Sequence, residues 1–522
     1  MENQATQLPN AYPQWSNRIL ILSLMGILYL TLFPFRLNFT ALQFFQRSPF
    51  LLGASSKSIR SLDFVLNVLL FVPFGFGMTA QLRKRGASQA MAMMGAFIAG
   101  AFTSYCVELL QFYIPTRSSG WDDVLSNSLG AVVGFVLFDR FGDMVRQLLS
   151  KCEAALDTWL SVPRTWVMLL IYLGFFFGIS IPLQKETRLS DWDASFPLFI
   201  GGDATGEHAW KGQISRFQIW NRALPEPLAK KLTAGESAPD AETGLLAAYE
   251  FTSGAPFGPP FEDKRKFLPS LNWMASQPPV PESRSPQLNG NSWLGSKIPV
   301  TNLTAELEKT NQFSLQVVCA SAEGLDADQR IVSISGLTGL QNLTLRRDGA
   351  SLVFWFRNPI SLGRDELPWY AEGVFEPRQL RNIIVSYDGA DLSLYVDGKK
   401  SPQVYYLSPG AALAREFQHL NTSELDGYLA TYDALMFIPA GLLFGVIARK
   451  SSLPSAPLKF LAFLILLVPA ILLEFILVRV SGRAISIWQL GLCCFLTMLG
   501  AWLVNADRSA ANHGAADRLH AR

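Results

Sequence analysis

Two glutamates stand inside apolar stretches of this chain, Glu108 in VELLQ and Glu474 in LLEFILV. A charge at the centre of a membrane span costs about 3 kcal/mol even on insertion-based scales, so an intramembrane carboxylate is a functional-site hypothesis by default. Each glutamate follows a polar residue by 41 positions, Asn67 in one case and Asp433 in the other. Those residues open the similar stretches NVLLFVPFGFG and DALMFIPAGLLFG. Each glutamate is followed nine positions later by an arginine, Arg117 or Arg483. The repeated spacing points to an internally repeated membrane protein. A carboxylate, an amide and a guanidinium in a poorly hydrated place can bind a polar group, move a proton, or neutralise one another.

More polar residues surround the first constellation. Asp63 and Asn67 are four apart and share a helix face, as do Asp123 and Asn127, while Ser104, Glu108 and Gln111 line a third face. Arg117 falls in the short connection between helices, so all can converge at one membrane interface. Three uses stay open: an ion pair of Glu108 with Arg117 and amides acting as packing glue, a pocket for a lipid headgroup, or catalysis with Glu108 as general base and Asp123 as its partner. No nucleophile, phosphate loop or metal triad accompanies them. Asp122 and Asp123 suit a divalent cation or a helix N-terminus favoured by the dipole. The second constellation has Asp433 for Asn67, and Leu477, Trp488, Gln489 and Cys493 where the first has Gln111, Asp122, Asp123 and Asn127. That makes the first the better candidate for activity and the second a degenerate scaffold.

The elements that position these residues are apolar helices. The chain has 522 residues, 16% of them charged, and a formal net charge of +2. These values fit a membrane protein with a sizeable polar part and give no basic field for nucleic acid. Eight spans are expected, about 18–36, 64–81, 89–112, 123–139, 165–183, 430–448, 457–479 and 485–504. Arg83, Lys84 and Arg85 follow the second, Arg140, Arg146, Lys151 and Arg164 the fourth, and Arg449, Lys450 and Lys459 the sixth. The positive-inside rule makes that side cytoplasmic. The expected order is a cytoplasmic N-terminus (1–17), a four-span domain (18–140), a cytoplasmic linker (141–164), a fifth span (165–183), an extracytoplasmic region (184–428), three further spans (429–504) and a cytoplasmic tail (505–522). The first apolar segment lacks the cationic start and cleavage site of a signal peptide. Five cysteines include only Cys319 in the polar region, which excludes an internal disulfide there. Four histidines, with only His208 and His419 before the C-terminal tail, make a His-rich metal centre unexpected.

The polar region reads as all-β. FSLQVV, RIVSIS, NLTLRR, SLVFWF, NIIVSY and LSLYV alternate apolar and polar residues, and Asp348-Gly349, Asp388-Gly389 and Asp397-Gly398 supply turns. Many short strands with such turns argue for a sandwich. Cys319 and Trp220 are expected in its core. Asp203, His208 and Trp210 lie in a Gly-rich loop that could bind sugar, with or without calcium, or be an ordinary loop over a core tryptophan.

Two family resemblances follow. Residues 18–140 resemble the VanZ family, named for a teicoplanin-resistance protein, through Asp63, Asn67, Pro73, Gly75, VELLQ, RSSGWDDVLSN (117–127), Gly130 and Gly134. IIVSYDGADLSLYVDGKK (383–400) resembles the central hairpin of laminin-G-like, concanavalin-A-like jelly rolls. PLFIGGD and WKGQISRFQIWNRALPEPLAKKL (197–232) resemble their last strands and closing helix, and LLAAYEF (245–251) their opening strand. The order is reversed here, which implies a circular permutation, tolerated because a domain's termini usually lie close together. The expected protein is a polytopic α-helical membrane bundle with an inserted extracytoplasmic all-β jelly-roll sandwich. The resemblances imply recognition of a lipid-linked or surface glycan and an effect on glycopeptide susceptibility. The rivals are a membrane transferase or hydrolase acting on such a lipid, and an adhesion scaffold. Membrane lipid and glycan are the expected partners, with no cofactor beyond the calcium alternative.

Overall fold

In the computed structural model the described residues are 15–35, 61–114, 117, 119–251, 260–274, 287–322, 328–361, 368–403, 405–417, 421–451 and 456–520. The expected N-terminal segment up to residue 14 and His419 lie outside them. The helices are α1 (Trp15–Leu32), α2 (Ser61–Lys84), α3 (Gln89–Gln111), α4 (Trp121–Trp159), α5 (Val162–Lys185), α6 (Glu226–Thr233), α7 (Thr301–Thr310), α8 (Pro409–Glu416), α9 (Leu425–Lys450), α10 (Ala456–Ser481) and α11 (Ile487–His520). Eight of them, α1 to α5 and α9 to α11, are long and apolar enough to cross a membrane, as the sequence led us to expect. The stretch read as a linker, 141–164, is mostly not a connection. α4 runs on as one helix of 39 residues to Trp159, and α5 starts at Val162. Arg140, Arg146 and Lys151 are therefore helical residues.

By contacts the chain forms two compact units. One comprises Met1–Leu173, Ala434–Leu467 and Cys494–Arg522, the other Gly174–Asp433 and Val468–Cys493. In the first, glycines let helix backbones touch. A Cβ on Gly75 of α2 would overlap the Ala131 carbonyl of α4, and one on Gly134 would overlap the Val72 carbonyl. The same crossing recurs between α9 and α11. There a Cβ on Gly441 would overlap the Thr497 carbonyl, and one on Gly500 the Ile438 carbonyl. All four residues of the second crossing stand at the offset that separates Asn67 from Asp433. Small residues at such spacing allow the close packing that drives helix association in lipid.

The second unit holds an all-β sandwich. Its strands are β1 (Leu198–Ile200), β2 (Lys211–Trp220), β3 (Leu245–Glu250), β4 (Leu271–Trp273), β5 (Gln287–Asn289), β6 (Leu294–Ser296), β7 (Phe313–Ser321), β8 (Gln329–Ser335), β9 (Gln341–Asp348), β10 (Ser351–Phe356), β11 (Trp369–Ala371), β12 (Leu380–Tyr387), β13 (Asp391–Val396), β14 (Lys399–Lys400) and β15 (Tyr405–Tyr406). One sheet runs β11-β10-β9-β8-β1-β6-β4 and the other β14-β13-β12-β7-β2-β3, with β15 on β13 and β5 on β2. Every pairing is antiparallel, and the inner faces share one core that includes Ile200, Phe217, Tyr249, Val317, Ile334, Phe354 and Leu394. The segments read as out of order thus interleave in one sandwich and do not form two modules. Phe217 of β2 pairs with Tyr249 of β3, as expected. Ile200 does not join the sheet of Tyr395. β1 is inserted between β8 and β6 of the opposite sheet, because its three fully buried residues suit a sheet interior. Asp397 and Gly398 both take positive φ, 49° and 81°, which a two-residue turn of this hand requires.

Candidate functional site

The first constellation gathers at one end of the α1–α4 bundle. The Asn67 amide of α2 donates to Asp123 Oδ1 of α4 at 2.6 Å. One turn further along α4, the Asn127 amide donates to Ser104 Oγ of α3 at 2.8 Å. Gly130, on the same face, abuts the Val68 carbonyl, so this stripe of α4 looks towards α2. Ser104 and Asn127 are buried, and the Asn127 carbonyl oxygen has no hydrogen-bond partner among the described residues. Glu108 is buried as well, and its Oε2 accepts the Gly120 N–H at 2.9 Å. Gly120 is the N-cap of α4 and has no side chain to serve the role, so a carboxylate from the preceding helix satisfies an otherwise orphaned donor. Ser119 Oγ donates to the Glu108 carbonyl. Gln111 donates to the Thr31 carbonyl at 2.9 Å, and Arg117 donates to the carbonyls of Phe33 and Leu30 at 3.0 and 3.2 Å. Both therefore bind the C-terminal end of α1, where cations and donors meet unsatisfied carbonyls. Tyr105 and Trp121 lie side by side with ring centres 5.8 Å apart.

The structure pairs Asn67 with Asp123 and Ser104 with Asn127, while Glu108 bonds Gly120 and Gln111 and Arg117 bond α1. Two stand aside. Asp63 is exposed and Asp122 is half-buried, and neither bonds within the cluster among the described residues. The α1 carbonyls were not anticipated, because a backbone acceptor leaves no mark on composition.

The second constellation is more tightly closed. Arg483 Nη1 and Nη2 donate to the two Glu474 oxygens at 2.8 and 2.6 Å, with the side chains 1% and 7% exposed. Ser486 N donates to Glu474 Oε1 at 2.6 Å, so this glutamate also serves the residue just before a helix, α11. Glu108 to Gly120 and Glu474 to Ser486 are the same contact at the same sequence interval. Gln489 Oε1 accepts from Arg483 Nη2 at 3.1 Å and from Tyr406 Oη of β15 at 3.0 Å. The sandwich also grips the α10–α11 connection. Arg188 donates to the Val480 carbonyl at 2.7 Å, Asn311 to that of Ser481 and Gln312 to that of Gly482, both at 2.6 Å. Tyr406 and these amides lie more than 80 residues away in sequence, and no motif pointed to them.

The loop holding Asp203 is self-contained. Asp203 Oδ1 accepts from Thr205 N and Oγ1 and from Gly206 N, and its Oδ2 lies 3.5 Å from Arg330 Nε. His208 faces Asp328 at 3.7 Å, and Arg346 donates to Asp328 at 2.8 Å. Trp210 is fully buried beneath the Arg347 guanidinium, 5.5 Å from the ring centre. Trp220 and Cys319 are core residues, as expected, and burial pushes the Cys319 thiol up to about 12.

Residues 20–142 match the VanZ/LLP1 family model. The match spans α1 to α4 up to residue 142 and so contains the whole first constellation. No curated protein and no solved structure matches the chain.

Proposed function

We propose that the VanZ-like segment binds the polar headgroup of a lipid-linked envelope glycan at the Asn67–Asp123–Asn127–Ser104 cluster, with the sandwich as its extracytoplasmic glycan- or protein-binding partner domain. The observation that carries this reading is the Asn127 carbonyl oxygen. It is buried among apolar helices without a donor, and an orphaned acceptor of this kind costs about 1–3 kcal/mol unless something fills it. A headgroup rich in hydroxyl or amine donors supplies what it lacks, and the exposed apolar flanks of α3 and α4 suit lipid tails. An effect on glycopeptide susceptibility follows from sequestering or presenting such a lipid. The second constellation is a further VanZ-like copy in this reading. Both termini are cytoplasmic and 184–428 lies outside, so topology reporters at Gly86 and Ser150 read cytoplasm and one at Gly290 reads exterior.

The test is binding of a purified lipid-linked oligosaccharide to the full chain in nanodiscs. Asn127→Ala and Asp123→Asn are expected to weaken it at least tenfold, with the folded fraction of each variant measured under the binding conditions, and Glu108→Gln to weaken it more than Glu474→Gln. Unaltered binding in Asn127→Ala, or equal effects of the two glutamate variants, refutes the assignment. Turnover of the lipid by the same preparation would favour the transferase or hydrolase reading instead.

A further inference from the structure

The two constellations exchange an acid for an amide. In the first, the amide is on the entering helix and the acid on the last, Asn67 with Asp123. In the second, the acid is on the entering helix and the amide on the last, Asp433 with Gln489. The consequences differ. Asp123 sits at the start of α4 and receives the Asn67 amide. Asp433 is fully buried, and neither of its oxygens has a hydrogen-bond partner among the described residues.

Among the described residues, the polar and titratable groups around Asp433 include weak donors in Cys493 and Gln489, and a further acid, Asp388, acts on Arg483 and Tyr406. Gln489 and Cys493 face it from α11, Glu474 from α10, Arg483 from the α10–α11 connection and Tyr406 from β15, and Tyr432 precedes it on α9. Arg483 is committed to both oxygens of Glu474, and this pair is neutral as a whole. The Gln489 oxygen is committed to Arg483 and Tyr406. One carboxylate charge therefore remains without compensation. An unpaired buried ion is penalised by several kcal/mol, far more than a paired one, so the folded state requires one positive charge at this point.

We propose that the second constellation is a buried monovalent-cation site with Asp433 as its ligand, taking a proton or an alkali ion. This role is separate from headgroup binding by the first constellation and needs no glycan.

Thermal unfolding of the full chain in nanodiscs tests it. One series varies sodium and potassium against choline at fixed pH, and another varies pH at fixed salt, for the wild type and Asp433→Asn. Asparagine is the residue the first constellation has at this place, so the variant has a precedent for folding. Above the dissociation constant, each tenfold rise in the bound cation should change the wild-type unfolding constant about tenfold, and the variant should lose that response. A sodium or potassium response identifies an alkali ion. A pH response alone, with a protonated-carboxyl infrared band that is missing from Asp433→Asn, identifies a proton. Equal responses in the two proteins overturn the proposal. If Asp433→Asn does not fold, the pair Asp433→Asn with Gln489→Asp installs the first constellation's arrangement and carries the same comparison. A wild type lacking both responses and the band overturns it without any variant.

Discussion

Replacing Glu474 by glutamine removes the charge that holds Arg483. The side chain of Arg483 is 1% exposed and that of Glu474 7%, so water cannot take over. Two bonds between opposite charges, at 2.8 and 2.6 Å, become at best one bond from the guanidinium to a neutral amide oxygen, and the new amide hydrogens face a guanidinium that is itself a donor. Breaking one side of a buried pair costs about 3–5 kcal/mol, mostly from the stranded charge. The lower half of that range applies here, because the Asp433 carboxylate beside Arg483 offsets part of the stranded charge. Removing both charges should cost far less, since a buried pair replaced by well-packed apolar groups is often neutral. Equilibrium unfolding of Glu474→Leu, Arg483→Met and the variant carrying both would form a mutant cycle, with Glu474→Gln measured beside it. Each single variant should lose about 3–5 kcal/mol, and the double variant should recover at least half of it. A loss below about 1 kcal/mol in Glu474→Gln, in the range of an exposed pair, would refute the reasoning. So would a double variant no better than its parents.

The helix crossings make a second prediction. Gly75→Val and Gly441→Val each drive a side chain into a backbone carbonyl that cannot give way, so both should lose about 3 kcal/mol or fail to yield a monodisperse protein on size exclusion. In the sandwich, burial and the neighbouring Asp388 push Asp391 up to about 6. The folded state then binds this proton more tightly than the unfolded chain. The associated stability is fully present below about pH 4 and is lost as pH rises through 6, up to about 3 kcal/mol. Asp391→Asn should flatten that part of the pH–stability curve and stabilise the protein at pH 8. Cys319 should resist a maleimide until the protein is denatured, whereas the exposed Cys152 should react in the native state.

What the sequence revealed depended on how local the signal was. Span positions follow from hydropathy, and eight expected spans correspond to eight helices. α4 was cut short at 139 because its charged continuation, FGDMVRQLLSKCEAALDTW, reads as a linker by composition although nothing in it breaks a helix. Residues four apart on a helix share a face whatever the fold, so Asp123 with Asn127 was legible, and fixed spacing exposed both glutamates. Partners supplied by other elements were not legible. The α1 carbonyls carry no side-chain signature, and Tyr406 reaches Gln489 from a two-residue strand. The sheet that takes the strand around Ile200 is not legible for a related reason: an apolar run of three residues shows that it is buried but not in which sheet.

The recurrence of the glutamate has a physical cause separate from ligand binding. α4 and α11 both begin directly after a short connection, and the first N–H groups of a helix have no partner within it. A carboxylate at the end of the preceding helix meets one such donor and the positive end of the dipole together. Glu108 serves Gly120 and Glu474 serves Ser486, so each constellation gives its glutamate a structural role apart from any ligand. The arginine is under no such constraint, and its partners differ. Arg117 reaches carbonyls at the C-terminal end of α1. Arg483 closes on Glu474 and also donates to the Ala484 carbonyl and to Gln489, which Tyr406 ties to the sandwich. One spacing thus supports two outcomes. In the VanZ-like segment the acid–amide pair closes on itself, and one buried amide oxygen, that of Asn127, has no donor among the described residues. In the second constellation the guanidinium is bound up in a closed network, and the exchanged acid, Asp433, is left as the group that must find a cation.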